Sequence, residues 1–185
     1  MSNESLSKNP AESIAVLLAQ NLESDDFVPF PPVKTEAVSP NGQYVLTVES
    51  LDGWKTKYAV ARLTRRTASG SHQVWEKPLP QEYGPRYALV GDEGQVVLFD
   101  ESINVSSQYA VMLINENKNI QLSHSFDAVA KVLGVKTSAI VEQAKGGWWI
   151  SAKPVLDKTG AAAVVGTAGK HLSVDLSTGR LSVLD

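Results

Sequence analysis

A glycine-led turn followed by a β-rich run occurs three times in this chain, and no other feature limits its fold as strongly. Asn41-Gly42-Gln43 leads into Tyr44-Val45-Leu46-Thr47-Val48, Glu93-Gly94-Gln95 into Val96-Val97-Leu98-Phe99, and Thr159-Gly160 into Ala161-Ala162-Ala163-Val164-Val165. After each run comes a polar loop and a second strand, over 57–63, 108–114 and 170–176, the first two sharing the tripeptide Tyr-Ala-Val. A shorter strand closes each unit, at 73–75, 120–123 and 180–183, the last preceded by the tight turn Ser177-Thr178-Gly179. Short glycine turns join antiparallel neighbours, so residues 36–185 are expected to be mainly β, in three antiparallel meander units of three or four strands.

The third unit starts later than the first two would require, and the excess falls in a segment over 125–145. There Phe126, Val129 and Val132-Leu133 follow helical spacing, and Thr137 is expected to cap a second short helix around Ile140-Val141. A helical insert is therefore expected in a loop of the β-repeat domain. Ahead of the repeats, over 1–35, Asn9, Pro10 and Glu12 signal a helix start, and Ile14, Leu17, Leu18 and Leu22 make one apolar stripe expected to dock on the rest of the fold. The run Pro29-Phe30-Pro31-Pro32 then forbids helix and predicts an extended linker.

The strand following each Ser-Pro-Asn-Gly, Gly-Asp-Glu-Gly or Asp-Lys-Thr-Gly turn resembles the innermost strand of β-propeller blades in the quinoprotein-like and WD40-like class. The resemblance covers residues 36–185 apart from the helical insert. It implies blade-like units and a repeat protein whose function lies on loops. The Trp-Asp dipeptide that ends WD40 blades is absent. Propellers typically close with four or more blades, so three units imply an open or partial ring; a sandwich or a barrel is the alternative. An open array must protect its edge strands, by covering helices or by self-association through an edge.

Composition removes several classes of function. With 17 basic and 20 acidic residues and a formal net charge of -3, the chain has no field to gather nucleic acid or anionic lipid. It has no cysteine, which excludes disulfides, thiolate nucleophiles and thiolate metal sites. The apolar stretch 14–19 is too short for a membrane span, and Glu4 and Glu12 against Lys8 do not make a signal-peptide start. A cytoplasmic location is expected, with export after loss of a leader as the alternative.

No motif carries chemistry. His72, His124 and His171 fall in three different units without the close pairing of a helix-borne metal site. No Gly-x-Ser-x-Gly elbow occurs, and 166–170 reads as a hairpin loop because it lacks the full phosphate-loop spacing. Asp100, Ser102 and Asn104 alternate like calcium ligands but lack the glycine and distal glutamate such a loop needs. No cofactor or metal is expected.

Trp54, Trp75, Trp148 and Trp149 are the candidate partner-binding residues, since tryptophan dominates binding hot spots and also fills cores. If Trp148-Trp149 is extended, one ring points inward and the other outward. The expected function is thus a non-enzymatic protein-binding module, of which an inhibitor or immunity-type protein is one form. The alternative is a hydrolase or small-ligand-binding protein with a carboxylate site in a cleft, using acids such as Asp92, Asp100 or Asp157 at the turn ends.

Overall fold

Consecutive residues of a strand point to opposite faces, so apolar runs such as Val96-Val97-Leu98-Phe99 and Val111-Met112-Leu113-Ile114 require cover on both sides. The computed structural model, which describes residues 30–103, 106–118, 120–145 and 148–184, provides that cover by stacking three four-stranded antiparallel sheets. The first sheet holds β1 (Lys34–Val38), β2 (Tyr44–Glu49), β3 (Ala59–Thr67) and β4 (Gly70–Leu79) in sequential order. The second holds β5 (Pro85–Val90), β6 (Val96–Glu101), β7 (Val111–Asn115) and β8 (Ile120–His124). Helices α1 (Phe126–Leu133) and α2 (Thr137–Glu142) follow, and the third sheet comprises β9 (Ala152–Leu156), β10 (Ala162–Thr167), β11 (Lys170–Asp175) and β12 (Leu181–Leu184).

The second sheet is the centre of the stack. Val96, Leu98, Met112 and Ile114 pack with Leu46, Ala61, Leu63 and Trp75 of the first sheet. Their neighbours Val97, Phe99, Val111 and Leu113 pack the other way, with Val165, Leu172 and Val174 of the third sheet and with α1. The period-2 alternation is therefore split between two cores rather than between core and water. Burying each of these aliphatic or aromatic side chains stabilises the fold by about 1.5–3 kcal/mol.

The three glycine turns are one turn used three times. The N–H of Gly42, Gly94 and Gly160 donates to the carbonyl of Ser39, Gly91 and Asp157, at 2.8, 3.0 and 3.1 Å. Their φ angles are 72°, 80° and 71°, a left-handed conformation that costs a residue with a Cβ and costs glycine nothing. Each turn ends two residues before a six-residue strand, β2, β6 or β10.

Each unit has a fourth strand ahead of its glycine turn, at β1, β5 and β9. These three carry Pro85, Pro154 or mostly exposed polar residues because each is an edge strand, where a missing donor or an exposed side chain is tolerated. The strand after the turn is second in its sheet, and the edge strand β1 packs beside β5 and β5 beside β9. Among the described residues no sheet closes on itself into a barrel.

The helical insert lies where the spacing places it. Ser125 caps α1, its Oγ accepting from the Ala128 N–H at 3.3 Å, and Gly134 ends it at a φ of 65°. Thr137 is not the cap of α2: it is the first helical residue, Lys136 takes the cap position, and no side chain bonds there. The amphipathic stretch expected over 10–22 lies outside the described residues. No described helix is long and apolar enough to cross a membrane.

Candidate functional site

A cavity of about 480 Å³ opens between the outer edges of the first and second sheets, where β4 and β8 diverge. Local sequence builds both walls. Pro78 and Pro80 flank Leu79 at the end of β4, and Pro78 is paired opposite Val60 at the sheet edge, where a strand tolerates a residue without a donor. Tyr58 immediately precedes β3 and is 65% exposed. Across the gap, Gln121, Leu122 and Ser123 of β8 form the opposite wall, Ser123 paired to Met112 in β7. Tyr109 closes one end, its N–H held by Ser107 Oγ at 2.8 Å.

Leu79 and Met112, both nearly fully buried, lie at the base of this cleft. Gln81 is also buried, its Nε2 3.6 Å from Met112 Sδ and its Oε1 without a hydrogen-bond partner. Among the described residues no Asp, Glu, His, Lys or Arg lines the cleft. Its surface is aromatic, proline, thioether and aliphatic with a few neutral polar groups.

A second feature lies at the far end of β6. Asp100 is fully buried, has a φ of 57°, and stands opposite Arg86 of β5, whose Nε is 3.9 Å from Asp100 Oδ2. Neither Asp100 carboxylate oxygen has a hydrogen-bond partner of ordinary geometry. Burial pushes its pKa up to about 6, against the opposing pull of the nearby Glu101 and Trp148 N–H groups and the Arg86 guanidinium. Trp54 and Tyr83, at φ 66° and 58°, sit in the connections β2–β3 and β4–β5, which share this end of the stack. Residues held in a left-handed backbone cluster at binding and catalytic sites in proteins generally.

The tryptophans are distributed through the structure. Trp149 is fully buried among α1, β10 and β11 residues, and Trp75 is 7% exposed in the first core. Trp148 is half-buried, its ring 5.7 Å from Phe126 in an edge-on arrangement. Trp54 is half-buried too: its Nε1 donates to the Pro31 carbonyl at 2.8 Å and its ring lies 5.7 Å from Tyr83, which in turn meets Phe30 at 5.5 Å. The Trp148-Trp149 pair is not in a strand, so the inward and outward alternation expected for an extended pair does not operate there.

The three acids named from the sequence are not gathered. Asp92 Oδ1 accepts from the Asn41 N–H at 2.8 Å and so ties the first two glycine turns together. Asp157 accepts from Thr159 Oγ1 and the Ala161 N–H within its own turn. Asp100 lies at the opposite end of β6 from both. His124 Nε2 lies 2.8 Å from the Gly179 carbonyl, a link from β8 to the third sheet, while His72 and His171 are exposed. Among the described residues no three His, Cys, Asp or Glu side chains converge as a metal site would need. The β4–β8 cleft escaped the sequence because its walls come from 58, 78–80, 109, 112 and 121–123. No family model matches the chain, and no curated protein matches its sequence.

Proposed function

We propose that the protein is a non-enzymatic protein-binding module that takes an extended, apolar segment of a partner protein into the cleft between β4 and β8. The observation that carries this reading is the lining itself: the cleft offers Tyr58, Tyr109, Pro78, Pro80 and Met112 and, among the described residues, no charged group. Aromatic, proline and thioether surfaces are the common currency of peptide-binding grooves. Supporting it, β8 is an edge strand, so a segment lying along it gains main-chain hydrogen bonds by strand addition while its side chains enter the cleft. An inhibitor or immunity-type protein is one form of such a binder, with a cytoplasmic location and the blade-like scaffold of a propeller-class repeat protein.

The test is selection from a random peptide library on the intact protein. Peptides rich in apolar residues are expected to emerge, and Tyr58→Ala or Ser123→Arg is expected to weaken their binding at least tenfold with the melting temperature unchanged. Equal binding to both variants would refute the site.

Asp100 favours a second reading, a small-ligand or hydrolytic site at the Arg86–Asp100 end, because a buried carboxylate with a raised pKa beside a guanidinium is the kind of group such sites use. It is separated from the first by whether Asp100→Asn alters peptide binding, which the cleft reading does not expect.

A further inference from the structure

The hairpin of β3 and β4 runs on past the rest of the first sheet. β1 pairs β2 only as far as Val38, opposite Val45, and β2 pairs β3 only as far as Arg65, opposite Tyr44. β3 and β4 stay paired beyond that, to Thr67 and Gly70. Every residue from Arg65 to Val74 is exposed, and the chain has no Asp or Glu between Asp52 and Glu76. Lower on β3, Arg62 is held by Glu49 at 3.4 Å and Glu76 at 2.7 Å. Arg65 and Arg66 have no ion-pair partner among the described residues; the Arg65 guanidinium stands 5.6 Å from the centre of the Tyr44 ring instead. A chain of net charge -3 thus carries a projecting arm whose only formal charges are positive.

The edge of that arm is open, since β4 is the last strand of its sheet. The Arg66 N–H donates to the Gln43 carbonyl on the β2 side at 2.7 Å, so Arg65 and Thr67 turn their main-chain groups toward His72 and Gly70. Ser71 and Gln73 therefore present their N–H and C=O groups outward. Edge strands are normally closed to another chain by charges, proline or a bulge. In β4 those devices begin only beyond Gln73, with the register shift that skips Val74 and then with Pro78. Arg65 and its opposite residue His72 lie on the Tyr44 face of the hairpin, and Arg66 lies with Ser71 on the other. Serine is too short to screen the Arg66 guanidinium from the free edge.

We infer that the free edge over 71–73 takes an extended segment of a partner protein that carries two adjacent acidic residues. Neighbouring carboxylates on an added strand point to opposite faces, one toward Arg65 and His72 and the other toward Arg66. The open stretch is short, so main-chain bonds are few, and the charges set the choice of partner and its register. A nucleic-acid duplex or an anionic membrane calls for a broad positive surface, whereas Glu49 and Glu76 stand on the same sheet face as Arg66. The inference is independent of the cleft between β4 and β8.

The probe is a short peptide with a central Glu-Glu pair in a Thr and Val background, titrated into the isotopically labelled full-length protein beside its Gln-Gln counterpart. The Glu-Glu peptide is expected to shift the amides of Ser71 and Gln73, to slow their exchange, and to bind several-fold more tightly than the Gln-Gln peptide, with the difference shrinking as salt rises. Arg65→Glu combined with Arg66→Glu, at exposed positions, is expected to reverse the preference in favour of a Lys-Lys peptide with the melting temperature unchanged. Tyr58→Ala is expected to alter none of this. Equal binding of the Gln-Gln peptide, unmoved Ser71 and Gln73 amides, no reversal in the folded double variant, or sensitivity to Tyr58→Ala would each overturn the inference. So would binding of duplex DNA or phosphatidylserine vesicles in place of the peptide.

Discussion

At the scale of single residues, Asp100 is the side chain whose environment conflicts most with its chemistry. Its ordinary pKa of 3.8 rises to about 6 because it is desolvated, so the folded state holds this proton more tightly than the unfolded chain. It follows from linkage that stability from this group is present below pH 4, falls as pH climbs through the window from about 4 to 6, and is flat above it. The span corresponds to about 3 kcal/mol. Asp100→Asn removes the ionisable group and keeps a residue that tolerates a positive φ. Urea denaturation should therefore show the variant gaining on the native protein by up to about 3 kcal/mol between pH 4 and pH 7. A constant difference across that range would show that Asp100 does not titrate there. The sequence marked this residue as a turn-end acid but not as a buried and strained one, because burial and strain arise only when β5 lies beside β6.

The elements show where sequence is legible and where it is not. The three glycine turns were readable because a left-handed φ has a residue signature, and the strands after them because Val, Leu and Phe cluster. The strands before the turns were not, since Pro85 and Pro154 and the charges of 34–38 argue against a strand unless its place at an edge is known. The insert was readable from the spacing of Phe126, Val129 and Leu133, which all turn inward. The equivalence of the turns makes a discriminating experiment. A Cβ at Gly160 would meet nothing within 4 Å, whereas one at Gly94 would lie 2.8 Å from Tyr44 Cε1. Gly160→Ala is expected to cost only the backbone strain of about 1–2 kcal/mol. Gly94→Ala is expected to cost measurably more in thermal denaturation, since the Tyr44 ring must also shift. Equal losses would show that the Tyr44 contact carries no weight.

On the scale of the whole molecule, the central sheet holds the array together by facing two cores. Leu98 faces the first and Phe99 the second, both fully buried. Leu98→Ala is expected to destabilise by about 2–5 kcal/mol and Phe99→Ala by about 3–5 kcal/mol. If the two cores fold as one unit, the unfolding transition followed by Trp149 fluorescence and that followed by circular dichroism should stay superimposed in both variants. Separate transitions would mean that the sheets unfold independently. The same stacking explains why the cleft could not be read from sequence. It is a gap between the outer edges of two sheets, so its chemistry belongs to no single stretch of chain. The tryptophans, read from sequence as candidate anchors, lie buried or half-buried, while Tyr58 and the prolines of 78–80 stand at the open surface.

The account rests most heavily on that cleft, and a selected apolar peptide titrated into isotopically labelled protein tests it directly. Chemical-shift changes confined to Tyr58, Tyr109, Met112 and the β8 amides are what the account expects, with the amides of Gln121 and Ser123 becoming slower to exchange as a strand is added. Changes centred on Arg86 and Asp100, with the β8 amides unmoved, would contradict it.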